Sequence, residues 1–127
     1  IDDATNAIKD IAGQAPQVLR PVGGGVNSDV KAVAAELNYP IINWSVDTED
    51  WKDQNVERIV QTVTQQAEDG DIILMHDIFE TSVTAALACV DRLMAQGYYF
   101  VTVEELFALR GEVPQEGGVY LSLPPKT

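Results

Sequence analysis

The side chains most capable of chemistry follow the predicted strands of this sequence. Arg20 ends one such segment, Asp50 and Trp51 lie just beyond the next, and His76 ends a third. The carboxyl ends of parallel strands meet at one edge of a sheet, where α/β proteins place their functional residues. The sequence therefore predicts that these four side chains share one face of the fold.

His76 is the strongest candidate for proton transfer. It is the only histidine in 127 residues, and an unperturbed imidazole has a pKa of about 6.5, which suits acid–base work near neutral pH. Asp50 would orient that imidazole or stabilise its charge, and Arg20 would pair with a carboxylate. Trp51 would form the floor of a sugar-binding site. Each residue also fits a structural role. His76 could be a packed histidine and Asp50 a solvated carboxylate, while Arg20 could be a surface arginine and Trp51 a tryptophan that caps the core.

Composition and spacing argue against several other classes of site. A net charge of −12, from 20 acidic and 8 basic residues, repels phosphate backbones and disfavours nucleic-acid binding. The glycine run Gly23–Gly25 lacks the spacing and the Lys-Ser/Thr of a phosphate loop. There is no Cys/His cluster for zinc, and the lone Cys89 is predicted to lie in the core. No apolar run reaches the roughly 20 residues of a membrane span, and no signal peptide is visible.

Helices and strands are predicted to alternate along the chain. Apolar residues at helical spacing predict helices over residues 1–12, 28–37, 56–67, 83–96 and 103–109, several of them ended by glycine. Strands are predicted at Gln17–Arg20, Ile41–Val46, Asp71–Met75 and Tyr99–Thr102. A polar loop is expected over residues 47–55, and from about residue 111 an irregular tail with one strand near Val119–Leu121.

This alternation predicts an α/β fold in a single domain, with parallel strands joined by right-handed crossovers. Four parallel strands fit either an open doubly wound sheet or half of a barrel. Periodicity alone does not choose between these two architectures.

Three short segments carry the candidate residues in order along the chain. Arg20–Gly24 reads Arg-Pro-Val-Gly-Gly, Asp47–Trp51 reads Asp-Thr-Glu-Asp-Trp, and Ile73–Asp77 reads Ile-Leu-Met-His-Asp. They resemble the Arg-Pro-Pro-Tyr-Gly, Asp-x-x-Asp-Trp and Leu-x-His motifs of the polysaccharide deacetylases, the NodB-homology domains of carbohydrate esterase family 4. Gly97–Leu106 is also typical of that family, so that the resemblance covers about residues 1–110.

The resemblance implies that the chain is the C-terminal half of a distorted (β/α) barrel. Such barrels remove N-acetyl groups from polysaccharides such as peptidoglycan or chitin-like glycans, or O-acetyl groups from some plant polysaccharides. In that chemistry a metal-bound water attacks the acetyl carbonyl and forms an oxyanion. Residue by residue, His76 would be the general acid for the leaving amine, Asp50 would hold and tune it, and Arg20 would pair with the catalytic base.

The same matching assigns three residues to substrate binding. Leu74 and Trp51 would line the pocket for the acetyl methyl group, and the backbone N–H of Gly23 would help to bind the oxyanion. Val22 and Gly23 replace the proline and tyrosine of the family motif. The backbone donor survives this change, but the stiffness of the loop and the contact of a tyrosine side chain are lost.

The family's Thr-Phe-Asp-Asp and His-x-x-x-His motifs, which supply the base and the metal ligands, do not occur in this sequence. The expected cofactor is therefore a divalent metal, zinc by preference, with cobalt or another divalent ion as the alternative, bound mainly by residues outside this chain. The expected partners are an N-terminal fragment of the same domain, or a second copy that completes the barrel, and the polysaccharide. The family implies an extracellular or cell-wall location.

Two alternatives remain open from the sequence. A non-catalytic glycan-binding or regulatory domain would keep the same fold and Trp51. An unrelated doubly wound binding domain would make the motif matches accidental, and its strands would form an open sheet.

Overall fold

Six α-helices and four short β-strands make up the computed structural model, which describes all 127 residues. The helices are α1 (Asp2–Ala12), α2 (Ser28–Glu36), α3 (Asp50–Asp53), α4 (Val56–Gln66), α5 (Glu80–Ala95) and α6 (Val103–Arg110). The strands are β1 (Ile41–Ile42), β2 (Val46–Asp47), β3 (Ile73–Leu74) and β4 (Val119–Tyr120). The chain forms two compact units, residues 1–43 with 114–120 and residues 44–113 with 121–127. None of the helices combines the length and the apolar character that a membrane span requires.

All four strands pair in parallel, one pair in each unit. In the first unit Ile41 and Ile42 of β1 lie opposite Val119 and Tyr120 of β4. In the second unit Val46 and Asp47 of β2 lie opposite Ile73 and Leu74 of β3. The predicted α/β class with parallel strands is confirmed, and so is the strand predicted near the end of the tail.

The strands are shorter than the sequence predicted. In the segment 17–20, only Leu19 forms a bridge, which is parallel and opposite Ile41. The predicted strand Ile41–Val46 divides in two because its partner changes: the N–H of Asn43 donates to the Tyr120 carbonyl, whereas the N–H of Ser45 donates to Ile72.

No strand forms at Tyr99–Thr102, and that prediction was wrong. Tyr99 is 88% exposed, and Phe100 and Val101 are also exposed, so no second strand covers this segment. Thr102 instead begins α6: its hydroxyl accepts from the N–H of Glu105, whose carboxylate accepts from the N–H of Thr102. This reciprocal capping box satisfies backbone donors that a helix start leaves open.

Local sequence signals explain where most helices begin and end. The side chain of Asn27 caps α2 and that of Asn55 caps α4, each accepting a backbone N–H three residues later. Gly13 ends α1 in the left-handed conformation (φ 74°), which favours glycine. The helices predicted at these positions are confirmed.

The core of the second unit lies between α4 and α5. Its fully or almost fully buried members are Ile59, Val60, Val63, Ala85, Cys89 and Leu93. The prediction that Cys89 is a core residue is confirmed, but not every apolar residue of α5 is buried. Val83 and Leu87 are exposed, whereas the polar Ser82 is fully buried. Helix α5 is thus rotated so that Ser82 faces the interior.

The core of the first unit is smaller. Ala34, Tyr39 and Ile41 are buried together, with Leu19 and Val119 packed against them. The hydroxyl groups of Tyr39 and Thr5 share a hydrogen bond of 2.8 Å, which ties α1 to this core. No residue of α1 itself is buried.

Candidate active site

His76 and Asp50 form a hydrogen-bonded pair in the second unit. Nδ1 of His76 lies 2.7 Å from Oδ1 of Asp50, and the backbone N–H of His76 donates to Oδ2 over 2.8 Å. Asp50 is fully buried, whereas the side chain of His76 is 40% exposed. Because the carboxylate holds Nδ1, the ring has its other nitrogen, Nε2, for exchanging a proton with a ligand.

Two parallel strands bring this pair together. Asp47 of β2 lies opposite Leu74 of β3, so that the two strands end at the same level. Asp50 follows β2 by three residues and His76 follows β3 by two. The buried hydroxyl of Thr48 donates to the Leu74 carbonyl over 2.9 Å and joins the two strand ends. The predicted gathering of Asp50 and His76 is therefore present in the structure.

The surroundings of Asp50 favour its ionised form. Burial raises the pKa of this carboxyl group, but the hydroxyl of Ser82 and the ring and backbone N–H of His76 outweigh burial, so that the pKa lies below its ordinary value. The Ser82 hydroxyl is fully buried, and although its geometry falls short of a regular hydrogen bond, its dipole still favours the charge. The ring of His76 therefore faces an ionised carboxylate.

Leu74 and Trp51 flank the pair along the chain. Leu74 precedes His76 by two residues and is 9% exposed, so it offers only a small apolar surface. Trp51 follows Asp50 directly in α3 and is 55% exposed, so a large part of its indole is open to a ligand. The correction to the sequence prediction is that the short helix α3 lies within the segment 47–55, where only a polar loop was expected.

Arg20 and Gly23 belong to the first unit. The guanidinium of Arg20 donates to the carbonyl of Ile42, the last residue of β1, over 3.2 Å and to that of the next residue, Asn43, over 3.4 Å. Gly23 lies in a 3₁₀ turn with φ 64°, a left-handed conformation that favours glycine over the tyrosine of the motif. The side-chain amide of Asn43 donates to the Gly24 carbonyl over 3.1 Å and ties this turn to the strand end.

Comparisons with known proteins place these motifs in context. No protein-family model matches the sequence. The chain is 45% identical over 114 residues to the peptidoglycan-N-acetylglucosamine deacetylase PgdA of Listeria monocytogenes. The aligned region covers 90% of this chain and 23% of PgdA. It is 42% identical over 106 residues to the peptidoglycan-N-acetylmuramic acid deacetylase PdaC of Bacillus subtilis, which covers 84% of this chain and 22% of that protein.

Solved structures agree with the sequence relatives. A T48 deacetylase with substrate matches with a TM-score of 0.83 and 39% identity, over 91% of this chain and 56% of that one. A family 4 acetyl xylan esterase from Clostridium thermocellum, in complex with a cobalt ion, matches with a TM-score of 0.84 and 27% identity, over 98% of this chain and 62% of that one.

The chain belongs to the polysaccharide deacetylases of carbohydrate esterase family 4. The family predicted from the three motifs is thereby confirmed. The chain spans 22–23% of the length of the two curated relatives and 56–62% of the two solved structures. Family 4 also includes a pseudoenzyme from Bacillus anthracis, whose structure matches with a TM-score of 0.77 and 27% identity, over 83% of this chain and 37% of that one.

The residues of this chain do not by themselves form a binding site for the metal of the family. No group of three or more His, Cys, Asp or Glu side chains lies close enough together to hold a metal ion. Asp50, the most buried carboxylate, already has both oxygens engaged by His76. No catalytic step that uses a metal can therefore be derived from these residues.

Sequence reasoning missed three residues that shape the site. Thr48 and Ser82 are fully buried polar residues beside the strand ends, and Arg58 binds the loop that carries Asp50. Ser82 carried one usable signal, because it falls at helical spacing with Ala85 and Cys89. Arg58 lies on the polar side of a predicted helix, where nothing in the spacing marks it.

Proposed function

We propose that this chain contributes the general-acid half of the active site of a metal-dependent polysaccharide deacetylase. The substrate class is an N-acetylated glycan, such as peptidoglycan or a chitin-like polymer, and an O-acetylated glycan is the variant of the same chemistry. The observation that carries the proposal is the pairing of a buried, ionised Asp50 with a half-exposed His76 at 2.7 Å. The names of the relatives PgdA and PdaC support peptidoglycan as the first substrate to test.

In this proposal His76 protonates the leaving group. After water has added to the acetyl carbonyl, with its proton passing to the base outside this chain, the C–N bond of the acetamido group breaks. Nε2 of the imidazolium gives its proton to the departing sugar nitrogen, and the acetyl group leaves as acetate that carries the oxygen of that water. Asp50 accepts the hydrogen bond from Nδ1–H and stabilises the imidazolium before the transfer. A carboxylate whose pKa is lowered stays charged at neutral pH and can perform this role throughout the cycle.

Four further residues have proposed supporting roles. Arg20 pairs with the base aspartate, which lies outside this chain, and the N–H of Gly23 binds the oxyanion. Leu74 and Trp51 line the pocket for the acetyl methyl group and the sugar. The exposed indole of Trp51 and the left-handed turn at Gly23 are compatible with these roles.

The proposed cofactor and partner follow from what this chain does not supply. A divalent metal, zinc in the first instance, is held mainly by residues outside this chain, because its own side chains form no metal cluster. An N-terminal segment of the same domain, or a second copy, supplies those ligands and completes a distorted (β/α) barrel. A cell-wall or extracellular location fits the peptidoglycan deacetylases among the relatives.

Acetate release from N-acetylated peptidoglycan by the full-length protein tests the proposal. We expect His76→Gln to lower kcat by about 10²- to 10⁴-fold, the usual contribution of general acid–base catalysis, and to leave glycan binding intact. The exposed Asp91, on α5, provides the control variant Asp91→Asn, which should retain full activity. Equal acetate release by the wild-type protein and His76→Gln would contradict a general-acid role.

A second candidate is a glycan-binding domain without catalysis. It is favoured by the pseudoenzyme among the structural neighbours and by the missing metal cluster in this chain. In that case the full-length protein would bind the oligosaccharide but release no acetate at any zinc or cobalt concentration. Trp51→Ala would then weaken binding, whereas His76→Gln would not change it.

A further inference from the structure

A single guanidinium binds the loop that presents Asp50. Arg58 of α4 donates through Nη1 to the Thr48 carbonyl over 2.9 Å and through Nη2 to the Glu49 carbonyl over 3.0 Å. The same side chain holds both carboxylate oxygens of Asp53, with Nε at 2.6 Å from Oδ2 and Nη2 at 2.8 Å from Oδ1. Arg58 thus contacts the backbone just before Asp50 and the last residue of α3.

This loop requires an anchor because its backbone is strained. Glu49 precedes α3 with φ 47° and Gln54 follows it with φ 51°, so two non-glycine residues in the left-handed region bracket a four-residue helix. Each such residue costs on the order of 1–3 kcal/mol, and it persists only where surrounding contacts fix it. Two hydrogen bonds of Arg58 fix the carbonyls of Thr48 and Glu49 at the first strained residue, and two hold Asp53 directly before the second.

We infer that Arg58 is a positioning residue that sets the Asp50 carboxylate against the imidazole of His76. Thr48 and Glu49 are the two residues that precede Asp50, so fixing their carbonyls fixes the starting direction of the Asp50 side chain. Because Asp50 is held to His76 by bonds of 2.7 and 2.8 Å, a shift of the loop would lengthen both contacts. The inference rests on the proposed function only for its effect on catalysis.

The geometry distinguishes Arg58 from an ordinary surface ion pair. Arg92 and Glu57 also form a pair in this unit, but their closest atoms are 3.8 Å apart and both side chains are more than half exposed. Pairs of that kind contribute little to stability. Arg58 instead forms a two-pronged contact with Asp53, and its hydrogen bonds hold the pKa of Asp53 below its ordinary value. A lysine keeps the positive charge but cannot reach two carbonyls and two carboxylate oxygens together.

The test uses the full-length protein with Arg58→Ala and Arg58→Lys, and Arg92→Ala as the control with the same loss of charge. The readout is the low-field NMR signal of Nδ1–H of His76, which its hydrogen bond to Asp50 protects from exchange, assigned by its absence from His76→Gln. We expect both Arg58 variants to lose this signal while their circular dichroism stays native. We also expect kcat to fall on the order of 10²-fold with little change in KM, as a small misplacement of a catalytic group causes.

Several outcomes would overturn the inference. If Arg58→Lys keeps the wild-type Nδ1–H signal and the wild-type kcat, only the positive charge of Arg58 matters and its hydrogen bonds do not position Asp50. If Arg92→Ala also loses the signal, the loss is not specific to Arg58. If Arg58→Ala does not fold, Asp53→Ala removes one half of the anchor, and an unchanged signal in that variant and in Arg58→Lys would refute the inference. If the wild-type protein releases no acetate, the proposed function fails, but the Nδ1–H signal still decides the role of Arg58.

Discussion

Replacing Asp50 by asparagine tests the proton-donor arrangement most directly. The carboxylate accepts two hydrogen bonds from His76, one from Nδ1 and one from the backbone N–H. The amide of the Asp50→Asn variant would have one acceptor oxygen for these two donors, so that one bond to a charged group is lost, worth about 1.5–3 kcal/mol. If this loss falls entirely on the transition state, at about 1.4 kcal/mol for each tenfold change, kcat decreases by about 10- to 150-fold.

The assay is acetate release from N-acetylated glycan by the full-length protein, with kcat and KM determined separately. We expect the loss in kcat, because Asp50 is fully buried and offers no surface to the substrate. Asp91→Asn removes one exposed carboxylate from the same unit and serves as the control for net charge. The Nδ1–H signal of His76 should disappear in Asp50→Asn and persist in Asp91→Asn.

Two results would refute this reasoning. A kcat of Asp50→Asn within about twofold of the wild-type value would mean that the buried carboxylate serves the fold and not proton transfer. A rise in KM at constant kcat would mean that Asp50 supports substrate binding, contrary to its burial. With either result, the Asp50–His76 pair would no longer support the proposed function.

Three further predictions concern stability, measured by chemical denaturation of the full-length protein. The pKa of Asp50 is lowered in the folded protein, so this carboxylate contributes stability that is fully present above the unfolded pKa of about 3.9 and is lost as pH falls through the folded pKa. The difference in the free energy of unfolding between wild type and Asp50→Asn should therefore shrink as the pH falls below the unfolded pKa of about 3.9. Ile59→Ala should lower the free energy of unfolding by about 2–5 kcal/mol, because Ile59 is fully buried in the core of the second unit. A decrease of less than about 1 kcal/mol would contradict that packing. Gly70→Ala should lower the free energy of unfolding more than Gly97→Ala. Both glycines have positive φ, so alanine adds about 1–3 kcal/mol of backbone strain at either position. Only at Gly70 would the added Cβ also clash, because it would lie 1.9 Å from the Leu123 carbonyl oxygen. Equal losses in the two glycine variants would argue against the close approach of Leu123.

Local sequence signals predicted the helices because the signals and their partners lie within a few residues. Asn27 is three residues from the N–H that it caps, and Gly13 directly follows the helix that it ends. The strand predicted at Tyr99–Thr102 failed for the opposite reason. A strand needs a distant partner, and a short apolar segment does not reveal whether one is present.

The central pair of the site was predictable from the topology. Asp50 and His76 are 26 residues apart, but each follows a strand of a parallel pair, and parallel pairing places both strand ends at one edge. The distance between the two side chains was not predictable. It depends on the short helix α3, which the polar segment 47–55 did not signal, and on the register that sets Asp47 opposite Leu74.

Thr48 and Arg58 could not be predicted from the sequence because their contacts with the loop and the strand ends are made to backbone carbonyls. Arg58 binds two carbonyls, and Thr48 donates to a third, the carbonyl of Leu74. Every residue has a carbonyl, so no pattern of residue types marks such contacts in a sequence. Ser82 was missed for a different reason: its helical spacing with Ala85 and Cys89 indicates a buried position but not its neighbour, and only the structure places this hydroxyl beside Asp50.

The interactions that set the geometry of His76 all lie within residues 44–113 of the second unit. Asp50 binds the ring, Thr48 joins the two strand ends, and Arg58 holds the loop, without any contribution from a metal ligand. The Asp50–His76 pair is therefore supported by contacts within this unit. Because these contacts include no metal ligand, an intact Asp50–His76 pair is necessary for the proposed catalysis but does not by itself establish it. In the proposed function, catalysis requires that metal ligands outside this chain meet this pair, so acetate release and the Nδ1–H signal are two independent measurements of one site.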